Sequence, residues 1–304
     1  MQMPGSDERN AAAFSSVMAA VFLTALKVAV GLLSGSLGIL AEATHSGLDF
    51  AAALITLVAV QAAVRPPDRE HAYGHGKVEN LSALAETGLL LVTCGWIIAT
   101  AVRRLVANDA QVDASIWTFG VMAVSIVVDA SRSRMLYRVA IKHRSQALEA
   151  DALHFSTDVW SSVVVVMGLT GVKLADWYPA LGWLRKADAV AALMVAGIVV
   201  LVSGRLGLRT VQGLLDASPA GAAEKIKARV EGIEGVFDCH AVRVRHSGPY
   251  YFVDLHVLLD GSLPLHAAHT LTDEVERVVR DELPGADVTV HPEPRAEPPT
   301  AGKS

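Results

Sequence analysis

LGILAEATHSGLDFAAALITLVAVQAAV, residues Leu37 to Val64, is the stretch on which the fold turns. It is apolar for longer than the roughly 20 residues a helix needs to cross the hydrocarbon core of a bilayer, yet His45 and Asp49 stand inside it. Two residues four apart share one helix face. Ionisable groups at such depth are costly, so they face a bundle interior and mark an ion path.

Outward from this block, five more qualify as spans: Ala11 to Leu33, Leu81 to Val102, Ile116 to Leu136, Ala147 to Val172 and Ala189 to Leu206. The chain is 52% hydrophobic, and its apolar residues crowd into the first two thirds. An α-helical membrane protein of six transmembrane helices with a soluble domain behind it is expected. Met1 to Asn10 is polar and weakly acidic, unlike the start of a secretory leader, so the first block reads as a retained span. Six spans leave both ends on one side. The loops there hold Arg65, Arg69, Lys77, Arg132, Arg134, Arg138, Lys142 and Arg144, whereas the opposite loops hold Arg103, Arg104, Lys173, Arg185 and Lys186. The positive-inside rule therefore expects both termini in the cytoplasm of a multi-pass protein of the cell inner (plasma) membrane. With only Cys94 and Cys239, a disulfide framework is excluded and a reducing cytosol fits. A net charge of -5 without a basic cluster gives no footprint for nucleic acid.

From Ala220 the pattern turns soluble: a helix over Ala222 to Ile233, strands over Phe237 to Arg245 and Tyr250 to Leu259 around a turn at His246 to Pro249, a helix over Leu265 to Leu283, and a strand over Ala286 to His291. This αββαβ order predicts a small α+β sandwich with its helices on one sheet. The expected organisation is a cytoplasmic segment 1–10, a transport domain 11–208, a linker 209–219, a soluble domain 220–293 and a disordered tail 294–304.

His154 and Asp158 repeat in the fifth block the spacing of His45 and Asp49 in the second. At about 1.5 Å per residue from the helix ends, both aspartates fall near the midplane, so the pairs can meet as a four-ligand cage. No Arg or Lys lies in the second block or at equal depth in the fifth, so a metal ion is the expected counter-charge. Mixed nitrogen and oxygen ligands in a tetrahedron suit Zn²⁺ better than Mg²⁺, Ca²⁺ or Mn²⁺, with Fe²⁺ and Co²⁺ left open. Ligating His must be neutral and Asp ionised, so protons compete with metal for the same atoms and would serve as counter-ions. The loop after the second span offers Asp68, His71 and His75, where Gly74 and Gly76 permit a tight path.

The HxxxD pairs, the loop DREHAYGHGK at Asp68 to Lys77, the stretch SQALEADALHFSTD at Ser145 to Asp158 and the αββαβ tail together resemble the cation diffusion facilitators, over about residues 11 to 293. The resemblance implies a homodimeric metal/proton antiporter in the bilayer, with His45, Asp49, His154 and Asp158 as the transport site. A His at position 45 favours zinc there, with iron, cobalt and cadmium not excluded. By the same resemblance, Asp68 and His75 form a second, weaker site, and Lys77 and Asp216 tie the membrane part to the cytoplasmic part. His240, His256, His269, His291 and Glu293 then form a binuclear, structural or regulatory zinc site at the dimer interface, Glu293 standing where relatives can carry Asp.

Other polar residues have plainer readings. Asp129 is expected to pair with Arg132, Glu149 and Asp151 to suit the helix dipole at the start of the fifth span, Cys239 to be a buried small residue, and His143, His246 and His266 to be solvated. A membrane metal sensor without transport is the competing reading, but no kinase, nucleotide-binding or DNA-binding segment follows the soluble domain. An intramembrane metalloenzyme would need a general base, as in HExxH, and no such string occurs.

Overall fold

The computed structural model describes residues 6–107, 116–177 and 184–295. It divides into two compact units, Met1–Val211 and Gln212–Ser304.

The first unit is built from six helices: α1 Ser6–Ser34, α2 Leu37–Ala63, α3 Lys77–Ala107, α4 Ile116–His143, α5 Gln146–Trp177 and α6 Leu184–Leu214. All but α2, which ends one residue short of its block, overrun the apolar block that foretold them, and α6 continues into the expected linker. Two connections are tight enough to force antiparallel neighbours. Between α1 and α2, Gly35 takes φ 67° and Ser36 caps α2 by accepting from the Ile39 N–H at 3.4 Å. Between α4 and α5, Arg144 takes φ 53°, and the Ser145 hydroxyl accepts from the Leu148 N–H at 3.4 Å.

The core of this unit joins α1, α2, α4 and α5 through Ala12, Ala13 and Val17, Ala53 and Val60, Leu136 and Ala140, and Leu148 and Phe155. Small residues dominate because helices in lipid associate by close backbone approach. α3 and α6 join the bundle through Ala83, Ala150 and Leu206. At Gly207 a Cβ would stand 3.0 Å from Thr87 Cγ2, so α6 passes tightly against α3.

Outward-facing apolar side chains such as Trp96, Leu33, Val92 and Leu201 are well exposed, the surface a lipid solvent requires. Four helical segments are long and apolar enough to cross a membrane: Ser6–Ser34, Glu42–Ala63, Lys77–Arg103 and Ala192–Leu214. α4 and α5 are 28 and 32 residues long but carry Asp129, Arg132, Arg134, Glu149, Asp151 and Asp158. Composition therefore marks four spans among the described residues rather than the six expected.

The second unit comprises α7 Ala222–Val230, β1 Asp238–Ser247, β2 Tyr250–Leu259, α8 Leu265–Glu282 and β3 Asp287–Pro294. The expected αββαβ order is present, with His246 and Ser247 inside β1 and Pro294 inside β3. The tail beyond Arg295 lies outside the described residues. The sheet order is β1-β2-β3, β1 antiparallel to β2 and β2 parallel to β3, with α8 as the crossover. Cys239, Val253, Leu255, Val257 and Val288 pack with Ile226, Val230, Val275 and Val279 of the helices. One face of the sheet is thus covered, and alternation along β2 turns His256 to the other face.

Leu255 is fully buried. Leu255→Ala should cost about 2–5 kcal/mol in urea unfolding of a fragment spanning residues 212–295. A loss below about 1 kcal/mol would mean that this core does not hold the unit together.

Candidate metal centres

His45 and Asp49 project from α2, and His154 and Asp158 from α5. Their ligand atoms close into a ring in which imidazole and carboxylate alternate. His45 Nε2 lies 3.9 Å from Asp49 Oδ1, Asp49 Oδ1 3.1 Å from His154 Nε2, His154 Nε2 3.6 Å from Asp158 Oδ2, and Asp158 Oδ1 3.7 Å from His45 Nε2. Zinc bonds of about 2.0–2.2 Å at tetrahedral angles hold ligand atoms roughly 3.3–3.6 Å apart. These four contacts are of that order, and His45, Asp49 and Asp158 bring one ligand atom each within 4.8 Å of one another, with His154 against Asp49 and Asp158 at their side. His154 Nδ1 and Asp158 Oδ2 are buried without a hydrogen-bond partner.

The expectation that no cation serves this region needs correction. Lys27 of α1 is buried, and its ammonium donates to Ser46 Oγ at 2.7 Å and stands 3.5 Å from Glu42 Oε2. The charge came from a neighbouring helix, where a lone Lys in the first apolar block was the available signal. Asp129 also departs from its expected pairing. Arg132 donates instead to Ser16 Oγ at 2.6 Å, while its guanidinium lies over the Phe155 ring. The Ser16 hydroxyl in turn donates to the fully buried Asp151 at 2.8 Å. Asp151 thus belongs to a buried polar chain rather than only to a helix end, and Glu149 pairs with Arg209 at 2.5 Å. His143, expected to be solvated, sits 2.9 Å from Glu8 Oε2 with its side chain 13% exposed.

In the loop, Asp68 Oδ1 accepts from the backbone N–H groups of His71 at 2.7 Å and Glu70 at 2.9 Å. The His71 N–H is the chief reason that this carboxyl is held below its usual range. His71 Nδ1 lies 3.2 Å from Oδ1 and His75 Nε2 3.3 Å from Oδ2. Gly74 takes φ 77° and returns the chain through an N–H to His71 O bond of 2.9 Å. Gly76 has no such conformation.

In the sheet, His240, His256 and His291 occupy one rung across the three strands. His256 Nδ1 lies 2.8 Å from Glu293 Oε1 and His240 Nε2 3.3 Å from Glu293 Oε2. These contacts, His256 foremost, hold the Glu293 carboxyl below its usual range. His291 is 3.9 Å from the same carboxylate. His269 is not gathered in; it stands on α8 beside Asp273, largely exposed. Asp238, which sequence reasoning passed over, lies 2.9 Å from His240 Nδ1. A bulge between His240 and Arg243 shifts the β1 register, with Ala241 at φ 48°. Cys239 is fully buried, and burial pushes its thiol up to about 11. Asp216 faces Arg245 at 3.6 Å, and Lys77 opens α3.

The cation efflux transmembrane domain matches residues 13–215, and the cation efflux protein cytoplasmic domain matches residues 219–295. The chain belongs to the cation diffusion facilitator family. Among its relatives are the cation-efflux pumps FieF of Yersinia enterocolitica, 33% identical over 95% of this chain and 94% of the relative, and of Salmonella schwarzengrund, 34% identical over 96% and 95%. A solved chain of CzrB is 31% identical, covering 26% of this chain and 98% of that one, with a TM-score of 0.25. This member of the family is a multi-pass membrane protein.

Zinc should raise the melting temperature of a fragment spanning residues 212–295, and H240A with H256A should remove the rise. A native fragment whose melting ignores zinc would rule out the three-strand rung as a metal site.

Proposed function

We propose that this chain exports a divalent transition metal, zinc by preference, across the inner membrane in exchange for protons. It works as a homodimer with six spans per subunit and both termini in the cytoplasm. The observation that carries the reading is the gathering of His45, Asp49 and Asp158 within 4.8 Å of one another, with His154 against both aspartates. Fe²⁺, Co²⁺ and Cd²⁺ are accommodated by the same donors less selectively. The naming of its relatives as cation-efflux pumps supports export rather than sensing.

The chemistry follows from charge. Two carboxylates balance one dication, and both imidazoles must lose any proton before their nitrogens can bind metal. Protons arriving at the four side chains weaken the same donors and release the ion. Lys27, bonded to Ser46 next to His45 in the chain, sets a basic group near the ring, which lowers the cost of leaving two carboxylates in an apolar bundle. α2 and α5 each supply half the ligands, so rocking of one helix pair against another would open the ring to either side in turn. The loop site of Asp68, His71 and His75 and the sheet rung of His240, His256 and Glu293, with His269 and His291 nearby in the chain, act as accessory sites that respond to metal concentration. Lys77 and Asp216 are the proposed interlock of the two parts.

In proteoliposomes, D49A or D158A should reduce zinc flux to background while dimerisation persists, and either alone should be nearly as damaging as both. Unchanged flux would sink the site assignment. H45D should admit oxygen-preferring Mn²⁺. An imposed pH gradient should drive zinc movement, and concentration of zinc in the presence of a protonophore would refute proton exchange.

A further inference from the structure

A second feature of the membrane unit is cationic, and the metal path makes no use of it. Between α4, α5 and α6 lies a cavity of about 550 Å³ whose lining includes Arg134, Arg205 and Arg209. Arg209 is tied to Glu149, whereas Arg134 and Arg205 are exposed and have no ion-pair partner among the described residues. A single carboxylate engages one edge of Arg209, and a guanidinium carries five N–H donors. The groove therefore keeps a net positive charge. A vestibule for dications would not be lined this way.

Its position along the helices is equally informative. Arg134 lies toward the His143 end of α4, Glu149 in the first turn of α5, and Arg205 and Arg209 toward the Leu214 end of α6. The charged lining thus gathers where α4 and α6 end and α5 begins. Farther from that end the lining includes Ala152 and Leu153, then Ser156, on α5 and Val202 on α6. Tyr137, 53% exposed, completes the cationic end at the level where amphipathic rings sit in membranes. On α5 the lining residues Glu149, Leu153 and Ser156 fall on the helix face turned away from His154 and Asp158, at 100° per residue. The groove and the metal ring are therefore separate.

A pocket with guanidinium groups at headgroup depth and an apolar wall below fits a molecule that is anionic at one end and hydrocarbon at the other. We propose that this groove binds the phosphate headgroup of an anionic phospholipid, with Arg134 and Arg205 donating to the phosphate oxygens and an acyl chain lying along Leu153 and Val202. Basic pockets between membrane helices recognise such headgroups by these contacts. The leaflet is the inner one under the orientation proposed above, but lipid binding itself does not depend on metal flux.

Purified full-length protein can be equilibrated with micelles containing phosphatidylglycerol or phosphatidylcholine, and the lipids retained counted by native mass spectrometry. The native chain should retain phosphatidylglycerol preferentially. R134Q with R205Q should weaken that retention by roughly tenfold or more, leaving phosphatidylcholine retention and the melting temperature unchanged. If the double variant does not fold, R205Q alone gives the same comparison, and R205K should restore part of the retention. Equal retention of phosphatidylglycerol by native and variant chains overturns the proposal. So does competition by inorganic phosphate as effective as that of the lipid, which would mark a free-anion site. Either result leaves the metal-export reading untouched, because that reading is tested by flux.

Discussion

Everything in the membrane unit is arranged around the cost of keeping carboxylates and imidazoles out of water. An isolated buried charge is prohibitive, and here each ring member faces two of opposite type, at 3.1–3.9 Å. That arrangement can exist only if α2 and α5 approach closely at one level. The alanine-rich core of α1, α2, α4 and α5 permits the approach, and the tight turns after α1 and α4 bring each helix pair back alongside itself. Buried polar chains elsewhere in the bundle obey the same constraint: Arg9 donates to Glu79 at 2.8 Å, Glu79 accepts from Ser145, and Asn80 donates to Gln146 at 2.8 Å. These charged and amide groups are partnered because lipid offers them no alternative, whereas Ser82, Ser125 and Ser203 leave buried hydroxyls unpaired.

The sequence exposed the ring because its logic is local. A spacing of four residues survives any tertiary arrangement as a shared helix face, and its recurrence in two apolar blocks named all four side chains. The same local logic read Asp68, His71 and His75 correctly as neighbours, since a short loop cannot separate them. It placed β2 with the bounds the structure gives, because Tyr250 to Leu259 is rich in aromatic and branched residues, alternates from Val253 to Val257 and follows a turn at Gly248 and Pro249.

What escaped the sequence was set by contacts between elements. Lys27 reaches the metal region from a helix whose own pattern looks merely apolar. Arg132 had an acid three residues away, but its closest partners are Ser16 and Phe155, which only packing of α1 and α5 brings near. His143 was read as solvated for want of any sign that Glu8 would lie beside it. His269 could not be told from the rung histidines, because the helix face that α8 presents to the sheet is fixed by Val275 and Val279 rather than by the histidine. The count of spans was limited differently: the charged residues of α4 and α5 lower the hydropathy by which a span is recognised, while α2 passes despite His45 and Asp49.

The bulge in β1 governs the parity of that strand. Cys239 and Val244 are both buried, although an odd number of steps separates them and a regular strand would send them to opposite faces. The extra residue near Ala241 absorbs the mismatch. It lets one strand display His240 on the open face at one end and still feed the helix-covered core at the other. The phase of β1 is thus a switchable quantity held by a single residue of chain length. Deleting that residue would not merely trim the strand but exchange its inner and outer sides on one flank, placing either the histidine among valines or the valines in water.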